Sequence, residues 1–537
     1  MCVYIYIYIY QCFGKSHDTK AEGRKLMSVE RHVMDEKIYA VDRISDLPEF
    51  ILHHILSLLS RKEAAKTGLL SKKWNCVWSS FPILDFDQMH YFNLHSPCLP
   101  DTRPESQKRV EKFMNDVDNS ISRFHEHQLP MQKFKLNMTL VDFKLASLVH
   151  KWIGMALEHG VKEMDLRVRT KRNTWYCLPG TIFFAKSTNN CKLEQPFSWS
   201  ALNYYSLQKL WLSYICVNEE IIQVIFRSCP FITDFGLIGC HGLKTLDISK
   251  LPKLCSVDVL PLEQTVEIVR VEAANLEFFR LCYSGKCLLD ITACQNLKIL
   301  YLKDLWITDQ CLQSNISRFS HLEFLRVVSC KMLERVKISL QSLRCLMIDS
   351  CQKLLEVEID SPNLSSFKFS SYKKVFPMIS SKNAPCPFEL TFTLFEEDSI
   401  DTLWFHKLRE FLVMSNQRKV LTLRILCQEV CPLMQVYLFS TNFSSACFYI
   451  FNFPFCFLQP FYFALMIKVA FSLEELKGIT IPPSFELELM TLDLRISRPL
   501  IETIDHGSLI DGLLWSCCPK KLSLLTGLVS RENCIKV

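Results

Sequence analysis

The 25 cysteines and 14 histidines are the residues of this chain that could act as nucleophiles, proton carriers or metal ligands. A structural zinc site would need four such residues grouped in closely spaced pairs, and neither paired CxxC motifs nor a Cys/His cluster of that kind occurs. Cys427 and Cys431 are one helical turn apart but have no two further ligands nearby. His53 and His54 lie in an apolar stretch of helical period, where a surface or hydrogen-bonded role is commoner than catalysis. We therefore predict no metal, no cofactor and no catalytic residue.

Composition excludes further classes of protein. The chain has only 14 glycines, which disfavours phosphate-cradling loops, and it contains neither a Walker-type nor a dinucleotide-binding pattern. A nucleophile elbow, a supported Cys-His pair and paired carboxylates are also missing, so we predict that the chain is not an enzyme. Its 62 basic and 56 acidic residues are too evenly balanced to indicate nucleic acid binding. The cysteines are scattered through a long chain, which predicts free thiols and an intracellular location, in the nucleus and/or cytoplasm.

Residues 42–87 contain a succession of helix-start signals. Three residues that can cap helices recur in it: Asp46, Ser60 and Ser71. Glu49 and Glu63 stand three residues after the first two, as a capping box requires. The apolar residues after the first cap have helical spacing and form one broad face: Ile51, Leu52, Ile55, Leu56 and Leu59. Three short helices are too small a unit to bury all of this surface, so we expect a partner to cover part of it.

The order of residues in this stretch resembles the F-box, the helical motif that docks a protein onto the Skp-family adaptor of a cullin ubiquitin ligase. The matching positions are Asp42-Arg43-Ile44-Ser45, Leu47-Pro48, Ile51-Leu52, Ile55-Leu56, Thr67, Leu70-Ser71, Trp74, Trp78 and Leu84-Asp85-Phe86-Asp87. The resemblance implies that the adaptor is contacted by Leu47, Pro48, Ile51, Leu52, Ile55 and Leu56. A helical hairpin packed on the rest of the chain is the alternative explanation of the same periodicity.

A second pattern recurs between residues 160 and 370: apolar, two residues, apolar, one residue, apolar. The units begin at Val161, Leu207, Leu243, Leu254, Val266, Leu276, Leu297, Leu322, Leu333, Leu343, Leu354 and Leu364. The last two apolar positions are two residues apart, as in a strand with one buried face. This is the leucine-rich-repeat signature, and it predicts an α/β fold in which a small all-helical F-box precedes a solenoid of short parallel strands. Antiparallel hairpins are the weaker alternative, since hairpin turn pairs such as Asn-Gly are missing.

The spacing of the units predicts which side chains point outward. Starts at Leu322, Leu343 and Leu364 are 21 residues apart, and intermediate starts predict short second strands on the convex side with few or no helices. The residues between the apolar positions then face outward on the concave sheet, including Thr245 and Asp247. From this face we predict that a protein target is bound by Trp211, Tyr301, Phe324, Arg326, Met347 and Lys368, because aromatic and Arg side chains are typical of recognition surfaces.

These observations divide the chain into five parts. The Tyr-Ile alternation in 1–40 favours a disordered leader or a gene-model extension, 41–88 is the F-box, and 89–160 is a linker with the N-terminal cap of the solenoid. The solenoid itself is predicted for 161–425, and 426–537 is a degenerate C-terminal region. In the last part, 436–470 is an apolar insert, and 446–467 is long enough to span a membrane but is interrupted by Pro454 and Pro460. A retained intron is the alternative that we favour for the insert.

The segment Leu513-Leu514-Trp515-Ser516-Cys517-Cys518-Pro519-Lys520 resembles part of the FBD-like tail found in plant F-box proteins with leucine-rich repeats. The whole order therefore resembles that plant family. It implies a substrate-recognition subunit of an SCF-type ubiquitin ligase, with a Skp-family adaptor, and through it a cullin, as one partner and an unknown protein substrate as the other. Two alternatives remain: a leucine-rich-repeat binding scaffold that acts outside any ligase, and a membrane-anchored protein that uses 446–467.

Overall fold

The computed structural model describes residues 44–92, 104–140, 145–170, 175–183, 204–260, 266–371, 376–382, 388–395, 400–414, 420–428, 469–470, 489–496 and 522–528. The predicted leader 1–40, the candidate span 446–467 and the tail segment 513–520 lie outside these residues. Within the described ranges, no helix is long and apolar enough to cross a membrane.

The chain divides into two compact units between Ser79 and Ser80. The described part of the first unit contains three helices: α1 Glu49–Ser57, α2 Arg61–Thr67 and α3 Lys72–Ser79. Its buried side chains come from all three: Leu52, Ile55, Leu56, Ala64, Thr67, Trp74 and Val77. The predicted capping box is present at α2, where the Glu63 backbone N–H donates to Ser60 Oγ and Glu63 returns a carboxylate to the Ser60 N–H. At the start of α3, the Trp74 N–H donates to Ser71 Oγ at 3.2 Å.

The predicted cap of the first helix is wrong. Helix α1 begins at Glu49, its N-cap residue is Pro48, and no side chain caps it. The Pro48 carbonyl accepts hydrogen bonds from the N–H groups of Ile51 and Leu52, so the extended proline residue itself starts the helix. Glu49 lies 3.5 Å from Nε2 of His53 one turn later instead of closing a capping box with Asp46.

Among the described residues, the second unit is built on one sheet of fifteen strands, in which the observed pairs are parallel. In spatial order the strands are β1 Ile83–Asp87, β2 Lys133–Leu140, β3 Glu163–Thr170, β5 Lys209–Ser213, β7 Asp234–Ile238, β9 Ser256–Leu260, β11 Phe278–Gly285, β13 Ile299–Leu305, β14 Phe324–Val328, β16 Cys345–Asp349, β18 Ser366–Ser371, β20 Phe388–Phe395, β22 Val420–Gln428, β24 Leu489–Ile496 and β25 Leu522–Leu528. We call this the main sheet. It forms the parallel-strand solenoid that the repeat pattern predicted.

The repeat register is confirmed by burial. All three apolar positions of the twelve predicted units are buried, and Leu325 and Leu346, for example, are both 0% exposed. Leu325 is directly paired with Leu346, and Leu346 with Phe367, so the same position of successive repeats forms one continuous row in the core. Each repeat therefore covers the apolar edge of its neighbour, which is how a solenoid buries surface that no single repeat could bury alone.

Short strands and helices return the chain to the main sheet. The second strands form small parallel sheets: β4 Tyr176–Cys177 with β6 Ile215–Cys216; β8 Thr245–Ile248, β10 Ile268–Val271 and β12 Leu288–Asp290; β15 Arg335–Ile338, β17 Glu356–Ile359 and β19 Met378–Ser381; and β21 Ile400–Asp401 with β23 Val469–Ala470. The helices are α4 Gln88–Tyr91, α5 Pro104–Glu126, α6 Ala146–Glu158, α7 Glu219–Ser228, α8 Asp309–Ile316 and α9 Thr402–Met414, and a 3₁₀ turn spans Gly180–Phe183. Within residues 160–370, where few or no helices were expected, the described part of the chain contains two helices, α7 and α8, and the 3₁₀ turn.

Repeat length explains where the helices occur. Tyr301, Arg326 and Met347 occupy the same position on neighbouring strands, and the first step along the chain is 25 residues while the second is 21. The longer step contains α8, whereas the shorter step contains only β15. The predicted outward positions Thr245 and Asp247 are wrong for the same reason. The step from Trp211 to its paired residue Gly236 is 25 residues long and contains α7. The next main-sheet strand is therefore β7, and Thr245 and Asp247 lie on the second strand β8.

The main sheet extends beyond the predicted limits of the solenoid on both sides. Strands β1 and β2 precede residue 161 and continue the same register, with Leu84 paired to Phe134 and Phe134 to Met164. Helices α5 and α6 connect these strands, and Trp152 of α6 donates to Asp118 of α5 at 2.8 Å. The region 89–160 therefore contributes strand β2 to the sheet, and β1 lies at the end of the range 41–88 that was predicted as the F-box. After residue 425, strands β24 and β25 continue the sheet.

The strand order of the main sheet predicts the effect of deleting the apolar insert. Strand β22 ends at Gln428 and pairs directly with β24, which begins at Leu489, so the described residues between them add no strand to the main sheet. We expect that deleting 436–467, which keeps β23, leaves the midpoint of thermal unfolding within about 3 °C and raises solubility, because a charge-free, Phe-rich run is an aggregation hazard. Circular dichroism and soluble yield of the two versions check this. A deletion that abolishes the cooperative transition would show that the insert is structural.

Candidate protein-binding surfaces

The helical unit leaves three large apolar side chains in solvent. Phe50 of α1 is 70% exposed, Leu58 directly after α1 is 57% exposed, and Leu69 after α2 is 80% exposed. Leu58 follows Phe50 by about two helical turns, so both lie toward the same side of α1. Exposed apolar side chains of this size on so small a unit are a candidate protein-binding surface.

The six predicted adaptor contacts divide into two groups. Leu52, Ile55 and Leu56 are buried within the helical unit, where they pack its own core. Leu47 and Ile51 are half-buried and Pro48 is exposed, so these three are accessible to a partner. The resemblance implied that one apolar face contacts the partner, whereas most of that face packs against the unit's own helices. The exposed residues Phe50, Leu58 and Leu69 were missed, and the spacing of Phe50 and Leu58 by two turns was the signal that could have found them.

The main sheet has one face in the core and one face outside it, which we call the open face. Its central row is formed by paired residues on neighbouring strands: Asp85, Lys135, Asp165, Trp211, Gly236, Asp258, Arg280, Tyr301, Arg326, Met347, Lys368 and Glu389. Of the predicted target-binding residues, the structure brings together Tyr301, Arg326, Met347 and Lys368 in consecutive positions of this row. Phe324 is two residues before Arg326 on the same strand.

Trp211 does not join the other predicted target-binding residues. Three strands separate β5 from β13, which places Trp211 about 19 Å from Tyr301 at the usual spacing of strands. Its indole ring lies flat on Gly236 of the next strand, where any Cβ would collide with the ring. The glycine is therefore required by close packing, and Trp211 covers backbone rather than projecting freely.

Several charges on the early strands of the open face are paired with one another. Glu163 lies 3.4 Å from Lys133 and 3.0 Å from Lys209 on its two neighbouring strands, and these cations lower the pKa of Glu163 despite its partial burial. Lys135 lies 3.5 Å from Asp85 in the same way. Cross-strand pairs of this kind stabilise the sheet modestly and leave little net charge for a ligand.

A buried ion pair stands at the centre of the row. Asp258 is 2% exposed, and Arg280 of the next strand donates to both of its carboxylate oxygens, from Nε at 2.7 Å and from Nη2. These hydrogen bonds raise the pKa of the Arg280 guanidinium. A two-pronged arginine–carboxylate pair is among the strongest side-chain contacts, so this pair fixes β9 against β11 and is unavailable to a ligand.

Next to this pair, apolar and cationic side chains lie side by side. Phe278, Ile299, Phe324 and Cys345 are directly paired on consecutive strands, two residues before the central row. Ile299 is 37% exposed, and its neighbours in this row are half-buried. The Arg326 guanidinium lies 5.0 Å from the centroid of the Tyr301 ring. Phe278 and Arg280 were not predicted as outward-facing residues, because the repeat starting at Leu276 was not assigned to the main sheet.

Burial controls the chemistry of several core thiols. Thirteen cysteines have described side chains, and these are free thiols. Burial raises the pKa of Cys229 and of Cys240 to about 12, and that of Cys294 to about 11, so these side chains stay protonated and unreactive at neutral pH. Among the described residues, no group of three or more His, Cys, Asp or Glu side chains could hold a metal ion.

Two family models match the chain. The F-box domain model covers residues 44–86, and the model described as "At1g61320/AtMIF1, LRR domain" covers 124–293 and 286–386. The first match contains the three helices and strand β1. The second contains most of the repeats, from the end of α5 to strand β19.

Curated relatives from Arabidopsis thaliana have the same domain content. F-box/LRR-repeat protein At5g02910 is 27% identical over 53% of this chain and 58% of its own length. F-box/LRR-repeat protein At4g14096 is 36% identical over 40% of the chain and 48% of its own length, and F-box/LRR-repeat protein At3g59200 is 37% identical over 42% and 40%. The chain thus spans less than two thirds of each of these relatives.

The helical unit and the parallel-strand solenoid, together with both family models, define an F-box protein with leucine-rich repeats. Its relatives place it among the plant F-box/leucine-rich-repeat proteins. The FBD-like assignment of 513–520 stays a prediction, because that segment lies outside the described residues.

Proposed function

We propose that this chain is the substrate-recognition subunit of an SCF-type cullin ubiquitin ligase. In this proposal the helical unit holds a Skp-family adaptor, and the open face of the main sheet holds a protein target. The chain itself performs no bond chemistry; it raises the effective concentration of target lysines near the ubiquitin-charged enzyme. The observation that supports this most is the exposure of Phe50, Leu58 and Leu69 on a unit that matches the F-box model.

The adaptor-binding surface in this proposal consists of the accessible residues rather than of all six predicted ones. Pro48, Phe50 and Leu58 would contact the adaptor directly, with Leu47 and Ile51 beside them. Leu52, Ile55 and Leu56 would contribute indirectly by holding α1 against α3. This assignment separates two effects of mutation, since buried leucines should affect folding and exposed ones should affect binding.

Changing Phe50 to Asp is expected to weaken adaptor binding by about 2 kcal/mol or more, because apolar anchors at the centre of an interface dominate its energy. The fold should persist, since the side chain is 70% exposed. Co-precipitation of the full chain with a recombinant plant Skp-family adaptor measures the loss. Lys62→Asp is the matched control, because Lys62 is an exposed polar residue on α2 whose charge change should leave the complex intact.

Two outcomes would contradict this proposal. Equal adaptor capture by the wild-type chain and by folded Phe50→Asp and Leu58→Asp variants would show that this surface is not the interface. Failure of the folded wild-type chain to capture the adaptor would favour the leucine-rich-repeat scaffold that acts outside a ligase.

A further inference from the structure

The middle of the open face combines apolar side chains and one incompletely paired arginine in two adjacent rows. We call these residues the Arg326 patch: Phe278, Ile299, Tyr301, Phe324, Arg326 and Met347. They lie on four consecutive strands of the main sheet, β11, β13, β14 and β16. Direct pairing of Ile299 with Phe324 and of Tyr301 with Arg326 fixes their positions relative to one another.

The cations on either side of the patch are strongly paired. Arg280 donates to both oxygens of Asp258, and Nζ of Lys368 lies 2.8 Å from a carboxylate oxygen of Glu389. Neither side chain can meet a ligand without losing a partner. Of the cations in this part of the central row, Arg326 is the one with the weakest pairing and is therefore the most available to a ligand.

Arg326 is only partly satisfied. Its Nη2 lies 4.0 Å from Oδ2 of Asp349, which is beyond hydrogen-bonding distance, and Asp349 already accepts a hydrogen bond from Ser350. Its Nε is buried and has no hydrogen-bond partner within the described part of the chain. A buried donor without a partner is costly, and such donors in native proteins often have a functional reason. The nearby Tyr301 ring holds the guanidinium in place on the open face.

The apolar row lies directly beside this cation. Phe324 and Arg326 are two residues apart on β14, which is a distance of about 6.6 Å. Side chains two residues apart in an extended peptide have about the same spacing, so such a peptide can contact both rows. Phe278 and Ile299 extend the apolar row over two further strands. A ligand that fits must therefore place an apolar side chain and an anionic group close together.

We propose that the Arg326 patch binds an extended segment of a protein target in which Asp or Glu lies within about two residues of a large apolar side chain. This rests on the proposed function, since it specifies what the target-binding face recognises. The guanidinium of Arg326 donates hydrogen bonds to the carboxylate, and the row from Phe278 to Phe324 packs against the apolar side chain. A carboxylate fits better than a phosphate because a single guanidinium, with Asp349 nearby, balances one negative charge rather than two.

Selection of phage-displayed random dodecapeptides on the immobilised full-length chain tests this proposal. We expect the selected peptides to be rich in Asp or Glu next to Leu, Ile, Phe or Met. Amidated synthetic copies should lose affinity by about tenfold or more for Arg326→Ala and for Phe324→Ser, measured by fluorescence polarisation. Lys209→Ala, on the self-paired early strands, is the control and should bind unchanged.

Several outcomes would overturn the proposal: no selected peptides, a basic consensus, or binding that Arg326→Ala leaves intact in a variant with an unchanged unfolding midpoint. Copies carrying phosphoserine in place of the acidic residue decide the ligand class, because tighter binding of these copies would replace the carboxylate assignment. Adaptor capture is measured on the same preparations. If the wild-type chain captures the adaptor but does not recognise the peptides, this inference alone is rejected. If the wild-type chain does not capture the adaptor, the proposed function is rejected.

Discussion

Replacing Leu346 with Asp is expected to abolish cooperative folding of the neighbouring repeats. Leu346 is 0% exposed and is paired on both sides with buried residues of the same row, Leu325 and Phe367. Removing such a leucine costs about 2–5 kcal/mol, and burying a carboxylate in its place adds several more. The loss exceeds what a protein of ordinary stability tolerates. Urea titration followed by far-UV circular dichroism measures it.

The control is the next residue on the same strand. Met347 points to the open face, so Met347→Asp should change the free energy of unfolding by about 0.5 kcal/mol or less. A larger loss of stability for Met347→Asp than for Leu346→Asp would mean that the assignment of core and open faces is inverted.

Replacing Arg280 with Ala is expected to destabilise the solenoid by about 3 kcal/mol or more, because it leaves the Asp258 carboxylate buried without its partner. Replacing both residues with Ala should recover most of that loss, since no charge then remains buried. The midpoint of thermal unfolding of the two variants measures the difference.

Arg344 provides the comparison for Arg280. It also pairs with an acidic residue on the neighbouring strand, Glu323 at 3.6 Å, but it is 70% exposed. Arg344→Ala should therefore cost less than about 1 kcal/mol. Equal effects of Arg280→Ala and Arg344→Ala, or a double variant no more stable than Arg280→Ala, would show that burial of Asp258 does not govern the pair.

The sequence predicted the main part of the fold because leucine-rich repeats are specified locally. Each repeat requires the same alternation of buried residues, so Leu325, Leu346 and Phe367 could be aligned without knowing any long-range contact. Strands β1 and β2 were not recognised as repeats, although Met131, Phe134 and Leu136 have the same spacing and are buried. Long helical connections between these strands obscured the period.

The binding surfaces were less predictable because they depend on how side chains are shared between the core and solvent. Periodicity placed Leu52, Ile55 and Leu56 on one face, but whether a partner or the unit's own helices cover that face is decided by α3. On the open face, the row containing Tyr301, Arg326, Met347 and Lys368 followed from the repeat register. The placement of Trp211 over Gly236 did not, because it requires knowing which strand lies next to β5.

Titration of the full-length chain with a recombinant plant Skp-family adaptor in a calorimeter tests the central claim most directly. We predict a saturable one-to-one complex that forms with the wild-type chain and with Lys62→Asp and is weakened about thirtyfold or more in Phe50→Asp. A folded wild-type chain that neither releases binding heat nor co-elutes with the adaptor would contradict the assignment to a ubiquitin ligase.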